Sequence, residues 1–150
     1  MNAIKLLKDD HNKVRRLFQK VKASDSDGEK KDLFMQIKEE LDVHTHIEEK
    51  IFYPTVREKE GLEDIVKEGI QEHHQADVFI NEIVNLSGDS DVFEPKLKVL
   101  MEGVEHHAQE EEADMFPKVE DKFSESDLEE LGEKLEKEKQ SFKKSQSANA

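Results

Sequence analysis

Apolar residues recur at three- and four-residue steps along almost the whole chain, a spacing that only amphipathic helices satisfy. Ile4, Leu7, Val14, Leu17, Phe18 and Val21 line one face of a first helix expected from Asn2 to Ala23. The stretch Ser24-Asp25-Ser26-Asp27-Gly28 ends it, and Ser26 with Glu29 forms a capping box that opens a second helix. That helix carries Phe34, Ile37, Leu41, Ile51 and Phe52, and Pro54 is expected to bend or end it. A third helix starts near Leu62, shows Ile65, Val66, Phe79, Ile80, Ile83 and Val84, and stops at Leu86-Ser87-Gly88. After a loop from Asp89 to Glu94, Pro95 suits the first turn of a fourth helix, with Leu97, Leu100, Val104 and Met115 before Pro117. Ser126 and Glu129 form another capping box, opening a short helix with Leu128, Leu131 and Leu135, and the tail beyond about Phe142 is expected to fray. No strand of useful length is visible. The expected class is all-α. Residues 1–123 form an up-down-up-down four-helix bundle, and residues 124–150 a short additional C-terminal helix and tail.

Composition narrows the function. Charged residues make up 40% of the chain and the formal net charge is −14, which opposes binding to the phosphates of nucleic acid or to an anionic membrane surface. The longest apolar runs, such as Leu33-Phe34-Met35, are three residues, and the N-terminus lacks the apolar stretch of a signal peptide. A cytoplasmic protein is expected. Cysteine is absent, which removes thiolate metal sites and cysteine nucleophiles. Seven histidines remain to be explained.

Two segments repeat one frame. His44, Glu48 and Pro54 recur as His107, Glu111 and Pro117, every member 63 positions on (44 to 107, 48 to 111, 54 to 117). Each His and Glu are one helical turn apart, and their stripe runs through Leu41 and Phe52 in one copy and Val104 and Met115 in the other. A lone His-x-x-x-Glu pair means little in so acidic a chain, and His106 with Glu110 makes a third; the shared frame carries the information. His11 lies on the face of Leu7, Val14 and Phe18. His73 shares its pattern of following apolar residues, whereas His74 would put Asp77 and Asn81 at apolar positions, so His73 is the better inward residue. Four imidazoles and two carboxylates thus point into one interior, where uncompensated charge is costly. That set suits first-row metals and exceeds what one tetrahedral zinc needs; it fits two ions, each held by two histidines, with carboxylates bridging.

These residues (Asp10-His11, His44…Glu48-Glu49…Pro54, Glu72-His73 and His107…Glu111-Glu112…Pro117) resemble the signature of the hemerythrin-like, or HHE cation-binding, family over about residues 4–120. The resemblance implies a four-helix bundle around a centre of two non-haem iron ions with an oxo or hydroxo bridge. It implies that His11 and His44 hold one iron, His73 and His107 the other, and that Glu48 and Glu111 bridge them. Oxygen-carrying members have a second histidine four residues after the third-helix ligand, and an Asp five residues after the fourth-helix one. Here those positions are Asp77 and Glu112, which argues against stable reversible dioxygen carriage. The set of four histidines and two glutamates is more similar to the di-iron domain of iron–sulfur cluster repair proteins, whose cysteine-containing domain is not present here. Ferritin-like bundles use Glu-x-x-His, a spacing absent from this chain.

His46, His74 and His106 are read as surface or peripheral residues, and Glu49 and Glu112 as helix-surface charges. Asp77 is read as solvated or as orienting a ligand histidine rather than binding metal, and Tyr53, one position off the ligand stripe, as packing between helices, with a hydrogen bond near the metals as the alternative. Phe52 and Met115 are expected to close one end of the site. The leading expectation is a di-iron protein that binds or reacts with a small diatomic or peroxide (dioxygen, nitric oxide, hydrogen peroxide) in sensing, storage or stress defence. Two other expectations are an iron-holding or iron-donating protein without turnover, and a metal-free helical interaction module.

Overall fold

A computed structural model describes residues 1–148, all helix and turn, with no strand among them. Helix α1 spans Ala3–Ala23, and the Asn2 side chain accepts from the Ile4 and Lys5 N–H groups at its start. Helix α2 spans Asp27–Ile47. Ser26 caps it by accepting from Glu29 N–H at 3.2 Å, but the expected box is one-sided, because Ser26 N–H donates to Ser24 Oγ instead. A π-helical turn, Glu48–Phe52, joins α2 to the short α3, Tyr53–Val56. Helix α4 is Glu63–Val84 and α5 is Phe93–Glu110; a second π-helical turn, Glu111–Met115, leads into α6, Phe116–Lys122.

Pro54 and Pro117 each follow a π turn, and the backbone explains why. Proline has no N–H to donate, and its ring collides with the carbonyl four residues back in a regular helix. One extra residue in the turn relieves both conflicts: Tyr53 N–H bonds to Glu48 O and Phe116 N–H to Glu111 O, five residues apart. The second and fourth helices therefore run through Pro54 and Pro117 rather than ending there.

Helix α7, Glu125–Ala148, is 24 residues long, not the short helix expected. Its cap is Ser124, two residues before the expected Ser126. The Asp127 N–H donates to Ser124 Oγ at 3.1 Å and the Ser124 N–H reaches Asp127 Oδ2 at 3.4 Å, a reciprocal box. Beyond Leu135 the helix is held by polar docking, with Phe142 stacked on His46 at 4.1 Å and Glu138 bonded to both His46 and Lys50. The expected frayed tail is helical to Ala148; Asn149 and Ala150 lie outside the described residues.

Two apolar clusters fill the bundle. One joins Ile4 and Leu7 of α1 to Ile47, Phe52, Leu62, Val66, Met115, Phe116 and the three leucines of α7. The other joins Val14, Leu17 and Phe18 to Phe34, Ile37, Leu41, Ile80, Ile83, Phe93, Leu97 and Leu100. Each long bundle helix starts in one cluster and ends in the other, alternately, which is the up-down-up-down order. α7 lies outside, against α1 and α2. His11, between Leu7 and Val14, marks the level at which the apolar packing is interrupted.

Candidate metal centre

At that level each bundle helix delivers one buried or nearly buried histidine: His11 from α1, His44 from α2, His73 from α4 and His107 from α5. Glu48 and Glu111, the first residues of the two π turns, are also buried. Ligand-type atoms of His11, His44, Glu48 and Glu111 lie within 4.8 Å of one another, and those of Glu48, His73 and His107 do likewise. Glu48 belongs to both groups: its Oε1 is 3.2 Å from His44 Nε2 and 3.0 Å from His73 Nε2. Glu111 spans them with both oxygens, Oε1 at 3.0 Å from His11 Nε2 and Oε2 at 3.5 Å from His107 Nε2. The two halves are near-symmetric, with ring centroids 5.0 Å apart in the His11–His44 pair and 4.9 Å apart in the His73–His107 pair.

Behind every imidazole stands a carboxylate. His11 Nδ1 is 2.7 Å from Glu112, His44 Nδ1 3.0 Å from Asp10, His73 Nδ1 2.7 Å from Glu49 and His107 Nδ1 2.5 Å from Glu72. An ionised carboxylate only accepts, so each Nδ1 carries the proton and each Nε2 faces the centre, the orientation a metal requires. Glu49 and Glu112 are thus not mere surface charges. Each turns from the π turn onto a histidine of the next pair. Their signal in the sequence is the doublet: Asp10-His11, Glu72-His73, Glu48-Glu49 and Glu111-Glu112 all place an acid beside an inward residue.

The residues fit a cation. His44 Nε2 and Glu48 Oε2 are fully buried and have no hydrogen-bond partner among the described residues; His44 Nε2 is close to Glu48 but out of line for a bond. An orphaned buried carboxylate oxygen costs about 1–3 kcal/mol or more, and coordination removes that penalty. The charges agree. Burial opposes protonation of His44 and His107, yet Glu48 with Asp10 and Glu111 with Glu72 outweigh it, raising these imidazoles to about 10 and about 11. Burial likewise opposes protonation of His73, and Glu48 and Glu49 overcome it. Burial should raise the Glu111 carboxyl, but His107 and His11 hold it well below the usual range. The centre is built to hold positive charge between two carboxylates.

The π turn brings in one residue that regular helical spacing misplaces. Tyr53 is 1% exposed, and its hydroxyl donates to Glu111 Oε2 at 2.6 Å, with Glu48 Oε1 at 3.4 Å. Its ring stacks on His73, as Phe116, its counterpart 63 positions on, stacks on His11. Burial and the two glutamates push the Tyr53 hydroxyl well above its ordinary pKa, so it stays protonated. α4 makes room for it at Gly69, where an added Cβ would lie 2.9 Å from the hydroxyl and 3.4 Å from His107 Cε1.

Phe52 and Met115 are buried and close the Tyr53 end, as expected. On the opposite side the imidazoles border a cavity of about 190 Å³, walled by Val14, Phe18, Leu41, Ile80, Leu100 and Val104. Gln75, Asp77, Val99 and Gly103, all exposed, also line it, so the cavity opens to solvent. His73 lies in the cluster and His74 on the surface; His46 is docked to α7 and His106 is exposed. Asp77 is exposed and contributes no atom to either buried group.

Residues 2–119 match the family model described as the Hemerythrin HHE cation binding domain. The solved structure of a hemerythrin HHE cation binding domain-containing protein from Mycobacterium kansasii aligns with TM-score 0.81 and 28% identity, over 97% of this chain and 89% of that one. A DNA nickase from Nostoc sp. is 28% identical over 124 residues; the match takes in 83% of this chain but only 35% of the nickase.

Proposed function

This chain belongs to the hemerythrin HHE cation-binding family, and from that premise we propose that it holds two non-haem iron ions and binds or reacts with dioxygen, nitric oxide or hydrogen peroxide. His11 and His44 hold one ion, His73 and His107 the other, and Glu48 and Glu111 bridge. The supporting observation is the arrangement of the imidazoles: four Nε2 atoms converge on two buried carboxylates while each Nδ1 is fixed by a carboxylate of its own. Bound iron supplies the redox and Lewis-acid chemistry. The chain's residues do the rest. Tyr53 holds a proton on its hydroxyl, 2.6 Å oxygen to oxygen from Glu111 at the centre, Phe52, Met115 and Phe116 exclude water from that end, and the largely apolar cavity admits a small uncharged ligand to the other.

DNA chemistry is named only for a relative almost three times the length of the shared region, and the net charge of −14 works against phosphate binding here. No helix among the described residues is long and apolar enough to cross a membrane. The test is metal analysis with optical spectra of freshly purified protein, before and after reduction and exposure to each ligand. Two irons per chain and spectra that respond to at least one ligand are expected. One zinc, or no metal, overturns the reading.

A further inference from the structure

The two halves of the centre are nearly symmetric at the histidines but not behind them. In the His11/His44 half both outer carboxylates are held by cations. Lys139 of α7 donates to Asp10 Oδ1 at 2.5 Å, while Asp10 Oδ2 faces His44 Nδ1 at 3.0 Å. Arg15 donates to Glu112 Oε2 at 2.9 Å, the oxygen that also faces His11 Nδ1, and to Glu105. In the His73/His107 half neither outer carboxylate has a Lys or Arg ion pair among the described residues. Glu49 pairs only with His73 and is 43% exposed, and its sequence neighbour Lys50 pairs with Glu138 instead. Glu72 pairs with His107 and shares its surroundings with a second carboxylate, Glu110, and with His106.

A carboxylate bonded to Nδ1 strengthens the imidazole as a donor, and a cation on that carboxylate draws the charge away while repelling an incoming ion. We propose that these cations make the two metal positions unequal: the His73/His107 position takes its ion first and holds it more tightly, and Lys139 sets the weaker affinity of the His11/His44 position. The inference rests on the two-metal reading above. It also assigns a task to α7, which begins beyond the residues matched by the family and reaches the centre through one side chain.

The experiment titrates the metal-free full chain with Zn²⁺ against a competing chelator while histidine ring ¹⁵N signals are followed. Outer-shell partners alter metal affinity by about 10- to 100-fold, so the first ion should bind at least about tenfold more tightly than the second. The His73 and His107 ring signals should move in the first equivalent. Lys139→Met keeps the packed stem but removes the charge, and should tighten the second step by roughly tenfold, narrowing the gap; Lys139→Arg should keep it. His11→Ala should retain the tight ion and His73→Ala should lose it. Equal affinities, His11 and His44 moving first, or an unchanged ratio in Lys139→Met would overturn the proposal and leave the two-metal reading standing. Binding of no zinc would overturn that reading as well.

Discussion

Gly69→Ala should destabilise the metal-free protein, and the cause should be the Tyr53 hydroxyl. At an unhindered helix position this change stabilises by about 1 kcal/mol, because glycine loses more backbone freedom on folding. At Gly69 the new methyl would sit 2.9 Å from the hydroxyl oxygen and 3.3 Å from Tyr53 Cζ. The tyrosine must move, and with it goes a 2.6 Å bond to ionised Glu111, of a kind worth about 1.5–3 kcal/mol. The net loss is roughly 0.5–2 kcal/mol, a drop of about 0.3–1 M in the urea midpoint at a slope near 2 kcal/mol/M. Tyr53→Phe removes the closest atom in advance. In that background the contacts left are 3.3 and 3.4 Å, which small shifts relieve, so Gly69→Ala should be neutral or stabilising. A four-protein urea cycle measures the coupling, expected at about 1–3 kcal/mol. Stabilisation by Gly69→Ala alone, or additivity within about 0.5 kcal/mol, would refute the placement of Tyr53 and with it the π-turn register that carries it inward.

Gly103→Ala is the contrasting case: a Cβ there meets nothing within 4 Å, so the variant should gain about 0.5–1 kcal/mol in thermal or urea unfolding, and a loss would contradict the open space at that position. Stripping metal with a chelator should lower the unfolding temperature, since ligand at 100 times its Kd contributes about 2.7 kcal/mol per site; an unchanged calorimetric profile would argue against a metal-organised core. Arg15→Met should cost about 1 kcal/mol at pH 7, the ion pairs being partly exposed. Arg15 holds Glu105 below its ordinary pKa, and burial at Glu112 is outweighed by Arg15 and His11. A depressed carboxyl pKa contributes stability above the unfolded value of about 4.3 that is lost as pH falls through the folded one. The gap between wild type and variant should therefore shrink as pH falls below the unfolded value, and a gap that stays undiminished down to the acid unfolding limit would disprove the electrostatic cause.

The bundle was legible because its helices obey one rule throughout. A 3.6-residue repeat with caps and turn residues between segments needs no tertiary information, and His11, His44, His73 and His107 stand out by breaking an apolar stripe. Glu48 and Glu111 were legible through the repeated frame. Helix ends were read less well where two caps competed: Ser124 and Ser126 are both plausible, and Asp127 decides for Ser124 by bonding back to it. The length of α7 was hidden because the polar contacts of Glu138 and Lys139 and the stack of Phe142 on His46 leave no periodic apolar signature.

From local spacing alone, then, the chain determined its class, its four inward histidines and the two glutamates one turn beyond two of them. Tertiary structure decided the rest. Tyr53 became central because Pro54 forces a five-residue turn, which rotates everything after Glu48 relative to a regular helix. The outer carboxylates acquired their histidines only across helix boundaries, Glu49 to His73 and Glu112 to His11. Lys139 reached Asp10 across 129 positions of sequence. Periodicity assigns a residue to a face, but the partner opposite that face is set by packing, and here the packing makes two matching halves electrostatically unlike.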